Sequence, residues 1–531
     1  MTTFTKITDE QQPVISVNPA FKLSDIDDKT YSGFTEHMGR CIYGGIYDVD
    51  NPLSDEDGFR KDVIEALKEL NSPVVRYPGG NFCATYHWQD GIGPRENRPK
   101  RPELAWIGLE SNQFGTDEFM KWCEKVGTAP YIALNMNTGQ YIRPYLSQRQ
   151  RPLTSIQAPS MKANILTILP ALAWVEYCNS TQDTYYANLR RKNGHEEPYN
   201  VKYWALGNEM WGPWQVEQMT KEDYAKKAFQ WAKALKLLDP SIELILCGKE
   251  GQDAWDYHVL KECIKFDRHA RGNDGCLIEM HSIHLYTCSN NHLENVTAPR
   301  AAERCIEMTG ALIDLVHAEN KIPSHVRKQK ICFDEWNVWD SSRANGRDGA
   351  EEKYTLSDAL AVATWLNAFI RQSKYIGMAN IAQSVNVISP LMTTKYGIYK
   401  QTTWWPWLLF CKYMRGTTIA VNVQSAEYEG STKPDWLRGA METPWLDVSA
   451  SIKDSVVSLV VVNIHESKSF STKLDGIPSG ANVEVYTVAG DNIGVINTAE
   501  KSEVEVKESK WEAKELYEFP KASMTMLRWK V

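Results

Sequence analysis

The sequence lacks several features that would each point to a particular class of protein. The 531-residue chain has no run that approaches the ~20 consecutive apolar residues of a membrane span. Its net charge of −8 leaves no basic surface for the phosphates of a nucleic acid. The 11 cysteines are scattered without a CxxC spacing, which is typical of buried, reduced thiols. We therefore expect neither a membrane nor a nucleic-acid partner.

The beginning of the chain bears on its compartment. Residues 1–14 are polar and contain no apolar segment of the kind found in a secretory signal. Together with the scattered cysteines, which are typical of reduced thiols, this predicts a cytoplasmic protein.

Short strand-like runs alternate with longer helical stretches between about residues 30 and 400. We predict eight strands, near 36–47, 72–80, 130–137, 201–208, 242–248, 277–286, 330–336 and 379–388. Helical periodicity marks stretches between them, at 57–70, 116–126, 221–238 and 301–318. Such alternation predicts a parallel sheet, and eight units indicate an α/β fold of the (β/α)₈ TIM-barrel type.

The pattern changes after about residue 415. Apolar and polar residues alternate from Leu446 to Ile452, and further strand-like runs follow at 456–464, 482–488, 503–507 and 524–529. The absence of helical periodicity predicts an antiparallel, jelly-roll-like β-sandwich. The strand-like run at 13–17 is expected to pair into the same sheet. The predicted organisation is an N-terminal segment at 1–28, a barrel at 29–412 and a C-terminal β-sandwich at 413–531.

Two of the predicted barrel strands end at a glutamate flanked by asparagine and tryptophan. These strands are YWALGNEM at 203–210 and ICFDEWNVW at 331–339, which contain Glu209 and Glu335. A carboxylate at the end of an apolar run is costly unless it is paired or hydrogen-bonded. The carboxyl ends of the strands form the active face of such a barrel, and two carboxylates there suit the hydrolysis of a glycosidic bond.

Other polar residues fall at the same level of neighbouring strands. They are Glu36, Arg76, Asn81, Asn135, Asn137, His281, His284, Tyr286, Gln383 and Asn386. Because residues three apart on a strand face opposite sides, His281 and His284 make a poor pair of metal ligands, and we predict no metal. The run Gly79-Gly80-Asn81 lacks the Lys-Ser/Thr of a phosphate loop and indicates a tight turn close to a ligand.

Five short motifs have a more specific meaning together. They are RYPGGNF at 76–82, WQDGIGP at 88–94, WALGNEM at 204–210, GPWQ at 212–215 and DEWN at 334–337. This set closely resembles the α-L-arabinofuranosidases of glycoside hydrolase family 51, of the fungal, intracellular type, over nearly the whole chain. The resemblance implies that Glu209 is the general acid/base and that Glu335 is the nucleophile.

The resemblance also implies a set of sugar-binding residues. It assigns Glu36, Asn81, Asn208, Tyr286 and Gln383 to the bond-cleaving subsite, and it places Trp106, in the loop after strand two, against the leaving side. We include Arg76 and His284 among the predicted substrate-binding residues, because they lie at the same level of strands two and six.

The implied activity is that of a retaining, exo-acting α-L-arabinofuranosidase. Such an enzyme removes terminal arabinofuranosyl units from arabinoxylan, arabinan or arabino-oligosaccharides without a cofactor. Family members commonly form hexamers, so a homo-oligomer is expected. Two features depart from the family pattern: Trp211 stands where many bacterial members carry an acidic residue, and 141–161 looks like an insertion.

The residues alone leave two alternatives. The first is an endo-acting glycanase that cuts xylan or glucan with the same barrel and the same pair of carboxylates. The second is an inactive carbohydrate-binding protein, which would need one of the two glutamates to be missing.

Overall fold

The structure, a computed structural model, describes residues 2–138, 161–267 and 275–531. The predicted insertion at 141–161, which we also expect to form a surface loop over 141–160, lies outside the described residues except for its last residue. The strands up to residue 400 are, in chain order, β1 (Thr2–Lys6), β2 (Val14–Asp25), β3 (Gly33–Phe34), β4 (Val74–Tyr77), β5 (Arg101–Glu103), β6 (Gly108–Glu110), β7 (Ala129–Ala133), β8 (Tyr203–Leu206), β9 (Glu243–Leu246), β10 (Met280–Thr287), β11 (Lys330–Val338), β12 (Ile376–Ile381), β13 (Leu391–Thr394) and β14 (Gly397–Lys400).

The later strands follow the last helix. They are β15 (Thr417–Ser425), β16 (Leu446–Lys453), β17 (Val456–Asn463), β18 (Phe470–Asp475), β19 (Asn482–Val488), β20 (Val506–Glu512), β21 (Leu516–Phe519) and β22 (Ser523–Lys530). The helices are α1 (Lys61–Leu70), α2 (Thr116–Val126), α3 (Met161–Asn179), α4 (Tyr185–Lys192), α5 (Lys221–Leu238), α6 (Ala254–Cys263), α7 (His292–Thr297), α8 (Pro299–Glu319), α9 (Leu356–Arg371) and α10 (Trp404–Tyr413). Among these described helices, none is both long enough and apolar enough to cross a membrane.

Eight of the described strands form the parallel barrel that the alternation predicts. Their order is β3-β4-β7-β8-β9-β10-β11-β12. The backbone of Ser32 joins the last strand to the first, because its N–H donates to Ala379 O at 3.0 Å and its C=O accepts from Ile381 N at 3.0 Å. Apolar side chains from successive strands fill the interior, among them Tyr131, Ile245 and Cys332. The interior is thus a packed core, and the functional groups lie at its carboxyl end.

The predicted strands overlap the observed ones, with one exception. The first is wrong, because 36–47 is a series of tight turns and the strand is the two-residue β3 before it. The turns require glycine, since a Cβ on Gly45 would lie 2.2 Å from the carbonyl oxygen of Arg40. The predicted helices at 116–126 and 221–238 coincide with α2 and α5, and those at 57–70 and 301–318 overlap α1 and α8.

The strands after residue 416 and the two N-terminal strands form one ten-stranded sheet. Strand β2 lies between β15 and β18, so the N-terminal segment completes the C-terminal domain, as predicted. The sheet is mainly antiparallel, but β2 runs parallel to β18 and β1 runs parallel to β15. The strands at both ends of the order contribute to a single apolar core, so the sheet folds over itself.

One strand predicted in this domain is misplaced. The observed β20 lies at Val506–Glu512 and not at 503–507. Strand β20 is at the edge of the sheet, where it pairs with β19 alone, and its side chains are largely exposed. The strand therefore lacks the alternation of apolar and polar residues that would have located it in the sequence. The domain limits at 28 and 412 stay predictions.

Helix α9 is buried along its whole length and packs against both the barrel and the C-terminal sheet. Near its end, Arg371 places one guanidinium nitrogen 2.7 Å from Glu303 of α8 and another 2.9 Å from Asp447 of β16. All three side chains are buried. This ion network therefore fixes the barrel to the C-terminal sheet at a distance from the carboxyl end of the barrel.

Candidate active site

A strained turn places Glu209 at the carboxyl end of β8. Gly207 has φ 85°, and a Cβ there would lie 2.6 Å from the Met210 sulfur, so the position requires glycine. Glu209 itself has φ 42°, which is uncommon for a residue with a side chain and costs on the order of 1–3 kcal/mol. The hydroxyl of Tyr224 donates to Leu206 O at 2.8 Å and holds the strand end. The strain is located at the carboxylate for which chemistry is predicted.

A β-bulge brings Asp334 and Glu335 to the same site. Cys332 and Glu335 of β11 pair with Ser282 and His284 of β10. The two β11 residues are three positions apart and their partners only two, so β11 has one extra residue here. Adjacent residues of a regular strand face opposite sides, and an extra residue relaxes that rule locally. Both carboxylates consequently contact His284, with Asp334 Oδ1 3.1 Å from Nε2 and Glu335 Oε2 3.6 Å from Nδ1.

Arg76 is a buried cation that binds both acidic residues of the bulge. Its guanidinium donates to Glu335 Oε1 at 2.6 Å and to Asn208 Oδ1 at 2.6 Å, and its Nε lies 3.4 Å from Asp334 Oδ2. Burial would raise the pKa of Asp334, but Arg76 and His284 outweigh this effect and hold that pKa well below its usual range. Asp334 is therefore a permanent anion beneath the pocket.

His284 links the two predicted catalytic glutamates. Its Nδ1 lies 3.1 Å from Glu209 Oε1, and its Nε2 contacts Asp334 on the other side. Burial lowers the pKa of this imidazole, but the neighbouring carboxylates of Glu335 and Asp334 raise it to about 10. At neutral pH both ring nitrogens therefore carry a proton and donate.

The same trio has the spacing of a metal site. One ligand atom from each of Glu209, His284 and Glu335 lies within 4.8 Å of the others. Because the doubly protonated imidazole has no lone pair to offer, His284 is a poor ligand for a cation at this place. His281 points elsewhere, with Nε2 2.9 Å from Asp256 Oδ1, so the two histidines do not share ligands. The absence of a metal stays a prediction.

These groups line a pocket of about 510 Å³ at the carboxyl end of the barrel. The lining residues are Glu36, Met38, Gly80, Asn81, Trp106, Glu209, Trp211, Trp214, Glu250, His284, Leu285, Tyr286, Glu335, Trp339, Ser341, Gln383 and Ile388. A pocket of this size falls within the range that holds more than a single small group.

Glu36 organises one wall of the pocket. Its Oε1 accepts from the Phe82 backbone N–H and from Trp106 Nε1, both at 3.0 Å, and its Oε2 accepts from Gln383 Nε2 at 3.0 Å. Burial and the nearby Glu335 carboxylate outweigh these donors and raise the pKa of Glu36 to about 8. Glu36 is consequently mostly protonated at neutral pH and can donate as well as accept a hydrogen bond.

Three further features complete this wall. The Tyr286 hydroxyl donates to Glu335 Oε2 at 2.9 Å. A Cβ on Gly80 would lie 3.1 Å from Glu335 Oε1 and 3.2 Å from Glu36 Oε2, so the glycine turn keeps the floor open, as the sequence predicts. The Gln383 Oε1 atom is buried and has no hydrogen-bond partner among the described residues, which leaves an acceptor for a ligand hydroxyl.

The structure brings the predicted site residues together in two groups. Eight line the pocket: Glu36, Asn81, Trp106, Glu209, His284, Tyr286, Glu335 and Gln383. Arg76 and Asn208 lie behind them, and Arg76 donates to both Glu335 and Asn208. Asn135, Asn137 and Asn386 do not line the pocket; Asn137 donates to Val216 O and Asn386 to Arg40 O, and both therefore stabilise loops.

Sequence reasoning missed several residues of the site. Asp334 lies behind the pocket lining: a regular strand would turn it away from the side of its neighbour Glu335, and the bulge removes that alternation. Trp214, Trp339 and Ser341 follow strands four and seven, and Glu250 follows strand five by four residues. Their position just beyond strand ends is the signal that would have found them.

Comparison with known proteins identifies the family. Two family profiles match, described as "Alpha-L-arabinofuranosidase 1 domain" over residues 66–297 and "Alpha-L-arabinofuranosidase C-terminal domain" over residues 334–523. α-L-Arabinofuranosidase C of Emericella nidulans is 62% identical over 532 residues and covers 100% of both chains. The thermostable GH51 α-L-arabinofuranosidase of Thermotoga petrophila superposes with a TM-score of 0.82 at 34% identity, over 97% of this chain and 100% of that one. This chain belongs to the family 51 α-L-arabinofuranosidases.

A further relative shows how far the similarity extends. The intracellular exo-α-(1→5)-L-arabinofuranosidase of Halalkalibacterium halodurans is 34% identical over 86% of each chain. Members of this family are glycoside hydrolases, so the chain is a glycoside hydrolase with carbohydrate substrates.

Proposed function

We propose that this family 51 enzyme is a retaining, exo-acting α-L-arabinofuranosidase that removes terminal arabinofuranosyl units from arabinoxylan, arabinan or arabino-oligosaccharides. The observation that carries the proposal is the spacing of Glu209 and Glu335, whose nearest oxygens lie within 4.8 Å of each other in one pocket. Retaining glycosidases hold their two carboxyl groups ~5–5.5 Å apart, whereas inverting enzymes leave ~6.5–9.5 Å for a water molecule. The spacing favours double displacement.

The two glutamates take complementary roles in this reaction. Glu335 attacks the anomeric carbon of the terminal sugar, and Glu209 donates a proton to the departing oxygen. The product is a covalent glycosyl-enzyme ester. Water then attacks the same carbon while Glu209, now a base, takes the proton from that water and Glu335 leaves.

The residues around Glu335 fix its orientation before the sugar binds. Arg76 holds one carboxylate oxygen and Tyr286 holds the other, at 2.6 and 2.9 Å. A nucleophile with both oxygens fixed loses little further freedom on reaching its attack geometry. Asn208 is fixed by the same guanidinium, at the position where the resemblance places a sugar contact.

The wall around Glu36 supports exo action on a furanose. Three polar side chains, Glu36, Gln383 and Asn81, follow strands one, eight and two and form a group of partners for one terminal unit. Trp106, from the loop after strand two, donates to Glu36 and so helps to orient this group. An endo-glycanase would need an open cleft there, and the names of the relatives do not favour it. An inactive binding protein would lack one catalytic glutamate, and both are present in the pocket.

The test compares ring forms and product configuration. We expect kcat/KM for 4-nitrophenyl α-L-arabinofuranoside to exceed that for the β-D-xylopyranoside and β-D-glucopyranoside by roughly two to four orders of magnitude, because misplaced hydroxyls leave buried polar groups unpaired. NMR of the first product should show the α configuration retained. Comparable rates on the two ring forms, preferential cleavage of soluble xylan, or an inverted product would overturn the proposal.

Location and assembly are further proposals. The intracellular relative from H. halodurans supports a cytoplasmic location, which fractionation of the source cells would test. A homo-oligomer, up to a hexamer, is supported by the family resemblance alone. Light scattering that gives a monomer at micromolar concentration would remove the assembly proposal and leave the catalytic one untouched.

A further inference from the structure

The pocket has a second wall that the reaction described above does not use. Glu36 and Gln383 follow strands one and eight, which are neighbours in the barrel. The second wall contains Trp211, Trp214 and Glu250, which follow the fourth and fifth barrel strands, β8 and β9. These two strands lie across the barrel from the first and the eighth. Since Glu209 also follows strand four, this second wall lies on the side of the group that protonates the leaving oxygen.

Two tryptophans form part of this wall. The rings of Trp211 and Trp214 meet edge to face with centroids 5.3 Å apart and an interplanar angle of 79°. Trp211 Nε1 donates to Gly248 O at 2.9 Å, and Trp214 Nε1 donates to Glu209 Oε2 at 2.9 Å. Trp214 is nevertheless 55% exposed, so an apolar indole face remains available to a ligand at the pocket mouth.

Glu250 is the unused polar group of the same wall. It is half-buried and lines the pocket, yet among the described residues no donor forms a hydrogen bond or ion pair with its carboxylate. The adjacent Lys249 forms its ion pair with Asp253 instead, at 2.7 Å, and its Nζ also lies 5.2 Å from the centroid of the Trp211 ring. Burial raises the pKa of Glu250, the charge of Lys249 opposes this in part, and the carboxylates of Asp256, Asp253 and Glu209 add to the rise. A half-buried carboxylate without a partner is costly unless a ligand supplies donors.

We propose that Glu250 is a specificity-determining residue that accepts hydrogen bonds from the hydroxyls of a leaving sugar seated against Trp211 and Trp214. The inference rests on the proposed function and refines it, since it names the class of leaving group. The two oxygens of one carboxylate can accept from both hydroxyls of a vicinal diol, which a glycosyl leaving group has and a simple alcohol lacks. The enzyme is therefore selective for arabinofuranosyl units attached to another sugar.

The experiment compares two substrates that differ in the leaving group. One is the α-1,5-linked arabinofuranosyl disaccharide, and the other is methyl α-L-arabinofuranoside, whose leaving alcohol also needs protonation but has no diol. We expect Glu250→Ala to lower the ratio of kcat/KM for the disaccharide over the methyl glycoside roughly ten- to hundredfold, the range of a lost charged hydrogen bond. Glu250→Gln keeps the shape and should lower the ratio in the same direction by a smaller factor.

Two controls separate this effect from a change in folding or charge. Glu222→Gln removes an exposed carboxylate at the start of α5 that does not line the pocket, and it should keep the wild-type ratio. Thermal unfolding of each variant checks the fold, and the near-isosteric Gln variant carries the test if the Ala variant is unstable.

The outcomes distinguish this inference from the proposed function. An unchanged ratio in both Glu250 variants, or equal losses on the two substrates, would overturn the role of Glu250 while leaving the arabinofuranosidase activity in place. A wild-type enzyme that hydrolyses neither arabinofuranoside would instead overturn the proposed function.

Discussion

Arg76 lies 2.6 Å from Glu335 and 3.4 Å from Asp334, so one buried guanidinium serves two adjacent carboxylates of the same strand. Glu209 has a different environment, because its oxygens accept from the His284 imidazole and from the half-exposed indole of Trp214. The two glutamates therefore differ in the charge and in the burial of their partners. Such unequal surroundings are what a pair of carboxyl groups needs if they are to act as nucleophile and acid.

Replacing the nucleophile should stop turnover. Glu335→Gln keeps the shape of the side chain but removes the group that forms the glycosyl-enzyme ester, so kcat should fall by several orders of magnitude. Intact-protein mass after incubation with a slowly hydrolysed arabinofuranoside should show one added pentosyl unit on the wild type. The same added mass on Glu335→Gln would identify another residue as the nucleophile.

Loss of the acid should depend on the leaving group. Glu209→Ala should lower kcat/KM on an arabinofuranosyl disaccharide about 10²–10⁴-fold, the usual contribution of general acid catalysis. A nitrophenolate leaves without a proton, so its release in the first step should be affected far less. Values of kcat/KM, which report the first step, make the comparison on both substrates, and equal losses would contradict the acid role of Glu209.

Arg76→Lys should impair both activity and stability. Lysine lacks the planar fork that binds Glu335 and Asn208 together, so kcat/KM should fall at least about tenfold and the free energy of unfolding by about 1–3 kcal/mol. Arg371→Lys is a matched control, because Arg371 is equally buried between two acids, Glu303 and Asp447, but lies outside the pocket. It should lose stability and retain its kcat, as measured by urea unfolding and by rates on the folded protein. A similar loss of kcat in both variants would argue against a specific role for Arg76.

Stability should decrease as the pH rises above neutrality. The pKa values of Glu36 and His284 are raised to about 8 and about 10, above ordinary values near 4.5 and 6.5. The folded chain therefore binds more protons than the unfolded chain, and the stability from each group is complete below its unfolded pKa and is lost as pH rises through its folded pKa. The decline due to Glu36 falls between about pH 4.5 and 8, and that due to His284 between about pH 6.5 and 10.

Two variants separate these windows. Urea unfolding from pH 5 to 10 should give a shallower decline below pH 8 for Glu36→Gln and a shallower decline above pH 8 for His284→Gln. Slopes identical to that of the wild type in both variants would show that neither group titrates as inferred.

Local patterns predicted much of the fold and pointed to Glu209 and Glu335, which line one pocket. The period of each helix and the apolar run of each strand depend on neighbours in the sequence, so α2 and α5 are predicted to the residue. The strand predicted at 36–47 is wrong because Gly44 and Gly45 allow turns that bury apolar side chains without a strand.

The contacts that organise the site could not be predicted in this way. The bulge that turns Asp334 into the site depends on a mismatch in register between β11 and both neighbouring strands. Arg76 is held by partners 132 and 259 residues away along the chain, Asn208 and Glu335, which no local pattern brings together. The proposed role of Glu250 depends on its having no hydrogen-bond donor among the described residues, which only three-dimensional contacts reveal.

The position of β2 in the C-terminal sheet has a consequence for synthesis on the ribosome. Ile15 pairs with Leu474, which emerges about 460 residues later, roughly 20–90 s at the rates of translation. All eight barrel strands lie between these two points, so the barrel can close while Ile15 and Val17 still lack their partners. Strand β2, one of the first two strands to be made, is thus among the last to pair, and a domain fused to the amino terminus should affect the folding of the C-terminal sheet more than that of the barrel.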